Sequence, residues 1–198
     1  MGIYLVSVGA REWFDPDEEE GRGAVATGLN EELRRRGLPS YESVPEEATR
    51  LVRGSGTRFE EKLVPSMDGF VRLAHAHLAP SGPGTLLDWS VLVPVPLDEE
   101  IELPVESAYS DTTVIAGAPR VLDLTRRLAE AVRLPLDAIP EACDNLDLTT
   151  WFLEGDAERV AAARPGPWGE DLDAAFYVAL YLRAAQHSLR RNCPIVYT

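Results

Sequence analysis

At 198 residues, 45% hydrophobic and 26% charged, the chain has the size and composition of a folded globular protein, which excludes global disorder. Its formal charge is −14, from 33 acidic against 19 basic residues, and no third of the chain is basic. Phosphate binding needs a cationic face, so nucleic acid and anionic membranes are disfavoured and a basic protein is the expected partner.

The segment MGIYLVSVGAREWF lacks the basic and apolar regions of a signal peptide, and Val6 stands where a myristoylation signal wants Ser or Thr. No apolar run reaches the roughly 18 to 20 residues that a bilayer span needs. Cys143 and Cys193 lie far apart without a CxxC pair, which reads as two reduced thiols in a cytoplasmic protein. One lysine, Lys62, beside eighteen arginines points to high-GC bacterial coding.

Residues 3–8, IYLVSV, are apolar and β-branched and predict a buried strand. The acidic run from Asp15 to Glu20 and the glycines at 21 and 23 predict a loop. A helix is expected over 23–36, with Val25, Leu29 and Leu33 on one stripe and Gly37 closing it. Residues 38–62 are polar, with a short helix expected at 45–52 and the most mobile loop at Gly54–Gly56. Ser66 is placed to cap a helix over 67–78.

After the break at Ser81-Gly82-Pro83-Gly84, strands are expected at 86–95, 101–105 and 112–117, with prolines 94, 96 and 104 marking edges and ends. Helices follow at 119–133, at 145–153 behind a capping pair Asp144/Asp147, and from Asp156 to Arg164. The strongest element spans 170–190: acids stand at its start, arginines at its end, and AAFYVALYL between them is apolar on every side. A terminal strand at 195–197 completes the pattern. No repeat and no regular βαβ spacing is present. The expected fold is therefore α+β in a single domain over 1–198: a mixed sheet of about five short strands, about six helices, and a largely buried C-terminal helix.

Between Arg72 and Arg120 there is no Lys or Arg at all, while Asp88, Asp98, Glu99, Glu100, Glu102, Glu106 and Asp111 fall inside the gap. This window carries half of the formal charge in a quarter of the length. Its acids and prolines suit a sheet edge guarded against aggregation, and equally a contact surface for a basic partner. The hydroxyl-rich stretch from Ser107 to Thr113 suits a turn or a ligand loop.

Chemical motifs are sparse. His75 and His77 are two apart, which on a helix points them roughly 200° away from each other, with His77 on the buried side and His75 outward. Phosphate-loop, EF-hand, GxSxG and SxxK patterns are missing. Asp144, Asp147, Asp171 and Asp173 read as helix caps before they read as acid–base pairs. Cys143 has no neighbouring histidine and reads as a buried hydrophobe.

The reading that results is a cytoplasmic, non-enzymatic acidic module without a cofactor, which binds and inhibits a basic partner as immunity proteins bind toxins, an analogy of size and charge alone. Its expected contact residues are Asp15, Asp17, Glu18, Glu19 and Glu20 in one run and Asp98, Glu99, Glu100, Glu102, Glu106 and Asp111 in the other, with Trp13 and Tyr109 as anchors. The alternative is a metal-dependent hydrolase using His75, His77, Asp88 and Asp111 around one ion.

Overall fold

The first apolar run becomes β1 (Ile3–Ser7) in the computed structural model, which describes residues 2–18, 20–46, 52–106 and 110–198. In chain order there follow α1 (Ala10–Trp13), α2 (Arg22–Arg35), β2 (Glu60–Leu63), α3 (Asp68–His77), α4 (Gly82–Leu87), β3 (Val91–Val93), β4 (Ile101–Leu103) and β5 (Thr113–Gly117). The remainder is α5 (Ala118–Val132), α6 (Asp147–Leu153), α7 (Asp156–Ala163), a 3-10 turn at Pro167–Gly169, α8 (Leu172–Arg191) and β6 (Ile195–Tyr197). The fold is α+β around one mixed six-stranded sheet in the order β2-β1-β6-β3-β5-β4. Only β3 and β5 run parallel; the other neighbours are antiparallel.

Strand periodicity divides the core. Leu5, Leu92, Ala116 and Ile195 face a helical layer that includes α5 and α8, while Val91, Val93, Ile115 and Val196 face α2. The sheet is therefore covered on both sides, which is why its central strands read as continuous apolar runs. Helix α2 buries Val25, Leu29 and Leu33 as its stripe requires. It closes where Gly37 adopts φ 71° and Leu38 N–H donates back to the Leu33 carbonyl at 2.8 Å.

Helix α8 packs against α5 and α3 and is buried without interruption from Ala174 to Ala185. The Asp171 carboxylate accepts the Ala174 N–H at 2.9 Å to cap its start, and Asn192 at φ 52° ends it. Arg183 is the one charge inside that buried run. Its guanidinium donates to the carbonyls of Leu136, Ile139 and Pro140 and so ties the 136–140 connection to the helix.

Two expectations change. The stretch 86–95 is strand only at Val91–Val93, because Gly82-Pro83-Gly84 starts α4 and Pro94 and Pro96 stop the strand early. The polar stretch 38–62 contains β2, hidden from its hydropathy because the inward position is a carboxylate, Glu61, rather than a hydrophobe. The helix expected at 45–52 falls largely outside the described residues. Among the described residues no helix is long and apolar enough to cross a membrane.

Candidate functional site

The first acidic run is bound up in holding α2. Glu18 accepts the Arg22 backbone N–H at 3.0 Å and so caps the helix. The Arg22 guanidinium bonds Glu12 and Glu20, with Glu18 at 3.9 Å. Asp15 accepts the Asp17 N–H at 3.0 Å in a turn of its own. Glu18 and Glu20 are thus engaged with Arg22, Glu18 half-buried and Glu20 exposed, while Asp15 and Asp17 are exposed. The expectation for Trp13 is corrected. This residue is wholly buried in α1, packed 6.3 Å from the Tyr41 ring, and cannot anchor a partner. Glu19 and Tyr109 lie outside the described residues.

The second acidic run stands at one end of the sheet, since β4 is an edge strand. Ile101 and Leu103 turn inward toward α2, and Glu102 turns to the opposite face and is exposed. Asp98, Glu99 and Glu106 are exposed and Glu100 is half-buried. Among the described residues none of these five carboxylates is in an ion pair; Arg36 reaches only the backbone carbonyls of Glu99 and Glu100, at 3.1 and 3.3 Å. Asp111 is exposed just before β5.

Beside this edge runs a groove of about 620 Å³ between α2 and β4. Its floor comprises Gly23, Ala24, Thr27 and Gly28 from α2 and Leu103, Pro104 and Val105 from the edge. Glu31 and Glu32 stand on its rim. Hydrogen bonds from Arg35 and Arg36 hold Glu32 ionised, with its pKa lowered to about 2. Glu31 is exposed and forms no ion pair among the described residues. The groove is small-residue and apolar along α2 and the edge, with Glu31, Glu32 and the Arg35 side chain beside it.

The metal alternative fails on position. His75 and His77 are both exposed in the last turn of α3, so His77 does not take the buried side. Asp88 ends α4 and Asp111 precedes β5. Among the described residues no group of three or more His, Cys, Asp or Glu side chains could hold an ion. Neither cysteine is in a disulfide among the described residues, both are buried, and burial pushes the Cys143 thiol well above its ordinary range, so it stands protonated.

Buried polar groups do occur, in places the residue pattern does not mark. Glu61 is fully buried and accepts the backbone N–H groups of Leu148 and Thr149, both at 2.8 Å, which makes it the cap of α6. Asp144 was expected to cap that helix. Instead its buried carboxylate accepts the Gly54 and Gly56 N–H groups at 2.9 and 3.0 Å and fixes the loop expected to be most mobile. Burial raises the Asp144 pKa, but those bonds and Ser55 outweigh it and leave it lowered. Asp147 turns back to the Asn145 N–H at 3.2 Å, Asp171 caps α8, and Asp173 is exposed. His187 is buried against Phe59, its Nε2 without a partner among the described residues. Of these groups, Asp171 borders a cavity of about 320 Å³ with Arg72, His77 and Glu170.

No family model matches the chain, and comparison with curated proteins and with solved structures finds no match.

Proposed function

We propose that this chain is a non-enzymatic acidic binding module that captures a basic protein partner, inhibiting it in the manner of an immunity protein. The observation that carries the reading is the row Asp98, Glu99, Glu102 and Glu106, exposed and free of ion pairs among the described residues, beside the groove between α2 and β4. Unpaired carboxylates along one sheet edge steer a cationic partner and set a fast, salt-sensitive encounter. The groove supplies apolar contact area. Nucleic acid is repelled by the same charges. A reducing cytoplasm suits two buried cysteines outside any disulfide.

The test uses octalysine as the probe. Its affinity is expected to fall about tenfold or more between about 50 mM and about 500 mM salt, and to fall similarly in the variant Glu99→Gln/Glu102→Gln. The variant Asp15→Asn/Asp17→Asn removes equal charge elsewhere and is expected to bind nearly as wild type. Salt-independent binding, or equal losses in the two variants, overturns the proposal.

A further inference from the structure

The window without cations also walls a cavity. Where β3 and β5 begin and β6 ends, a cavity of about 300 Å³ opens between the sheet and the ends of β2 and α4. Leu63, Met67 and Leu87 form its apolar side. The rings of Trp89, Tyr181 and Tyr197 form its aromatic side, with Trp89 5.4 Å from Tyr181 and 5.0 Å from Tyr197 between centroids. The two phenol oxygens are 2.6 Å apart, and burial raises both pKa values, so both stay neutral and the cluster is fixed. Polar atoms come from the hydroxyls of Ser90, Ser110 and Thr112 and from one carboxylate, Asp88.

That inventory is selective. Among the described residues no Lys, Arg or His lines the cavity, so an anion would meet Asp88 without an opposite charge from them. Asp88 enters no ion pair among the described residues, so its charge is available to a ligand. A cation gains from the carboxylate, while an apolar body attached to it gains from the aromatic and aliphatic wall. The volume stands at the lower end of the roughly 300 to 1,000 Å³ of small-molecule sites, which suits a single-ring ligand and is too small for a nucleotide. We propose that the cavity binds a small hydrophobic organic cation, its ammonium group toward Asp88 and its apolar body against Trp89 and Met67. This site is distinct from the β4 surface and does not depend on it.

The probe is phenethylammonium, followed by calorimetry and by tryptophan fluorescence, since Trp89 is part of the wall. 2-Phenylethanol and phenylacetate share its ring and replace its charge. The expected order is phenethylammonium tightest, 2-phenylethanol about tenfold or more weaker, and phenylacetate without detectable binding. Asp88→Asn is expected to bring phenethylammonium down to the level of 2-phenylethanol and to leave 2-phenylethanol unchanged, while Asp88→Glu keeps the preference. The double variant Glu99→Gln/Glu102→Gln is expected to bind phenethylammonium as wild type does. Equal affinity for the three probes, no saturable binding by the wild type, indifference to Asp88→Asn in a folded variant, or loss in the β4 double variant each overturns the assignment. Failure of octalysine binding would leave this result untouched.

Discussion

Thr149 meets Glu61 twice: its backbone N–H and its hydroxyl both donate to Oε2 of the buried carboxylate, at 2.8 and 2.7 Å. One acidic side chain on an outer strand thereby holds the first turn of a helix more than eighty residues away in the chain. Removing it with Glu61→Ala leaves the Leu148 and Thr149 donors buried without an acceptor and is expected to cost about 3 kcal/mol. Urea unfolding measures it, and a cost below about 1 kcal/mol would show that α6 does not need this cap.

The same carboxyl gives a pH signature. Burial lifts its pKa above the ordinary 4.5, against the pull of the bonds from Thr149 and Leu148. The folded state then holds its proton to higher pH than the unfolded state, so this group's contribution falls as pH rises from about 4.5 through the raised value. Comparing wild type with Glu61→Gln between pH 4.5 and 7 isolates it. The variant should lack that decline.

His187 works in the opposite direction. Burial pushes its pKa from 6.5 down to about 3, so the folded protein keeps it neutral while the unfolded chain takes up a proton below 6.5. Stability is expected to drop as pH falls from 6.5 toward 3, by at most on the order of 4 kcal/mol. His187→Leu removes the slope. Parallel titration curves for the two proteins would contradict this.

Arg183 anchors three carbonyls of the 136–140 connection from inside α8. Arg183→Ala leaves those acceptors unmet in a buried place and is expected to cost about 3 kcal/mol. Arg183→Lys should recover little, because an ammonium cannot reproduce the planar fork that reaches several carbonyls at once. Thermal melting of the pair decides whether geometry or charge matters.

Gly23 stands in the first turn of α2 with the Asp15 carbonyl where a Cβ would lie. An alanine there gains helix propensity of about 1 kcal/mol but collides with backbone that cannot step aside. A net loss of about 2 kcal/mol is expected for Gly23→Ala, read from the melting temperature. A stabilised variant would mean that the acidic loop over α2 yields easily.

Local pattern located the elements whose neighbours are close in sequence. The α2 stripe, the α8 caps and the terminal strand were all legible, because their signals are periodicity and dipole charge. Long-range pairing was not. Glu61 and Asp144 look like ordinary surface acids, yet each satisfies backbone donors from a distant segment, and no local rule marks that. The burial of Trp13 failed for a similar reason: WF beside five acids resembles an exposed loop until Tyr41 and α2 close over it. The acidic row of β4 was read as a sheet edge, and β4 is the outermost strand. The cavity at Asp88 was half visible, since the hydroxyl-rich stretch was noted but the tyrosines that face it come from α8 and β6.

The place of β6 has a consequence for synthesis. It is the only strand bridging β1 to β3, so before it is made the sheet is two separate pieces, β2-β1 and β3-β5-β4. Helix α8, against which α3 and α5 pack, is made immediately before it. A nascent chain emerging N-terminus first therefore carries exposed apolar faces until α8 and β6 have cleared the ribosome. Acquisition of structure is then a single late event, and a nonsense codon anywhere before α8 yields a product for chaperones and proteases rather than a smaller working protein.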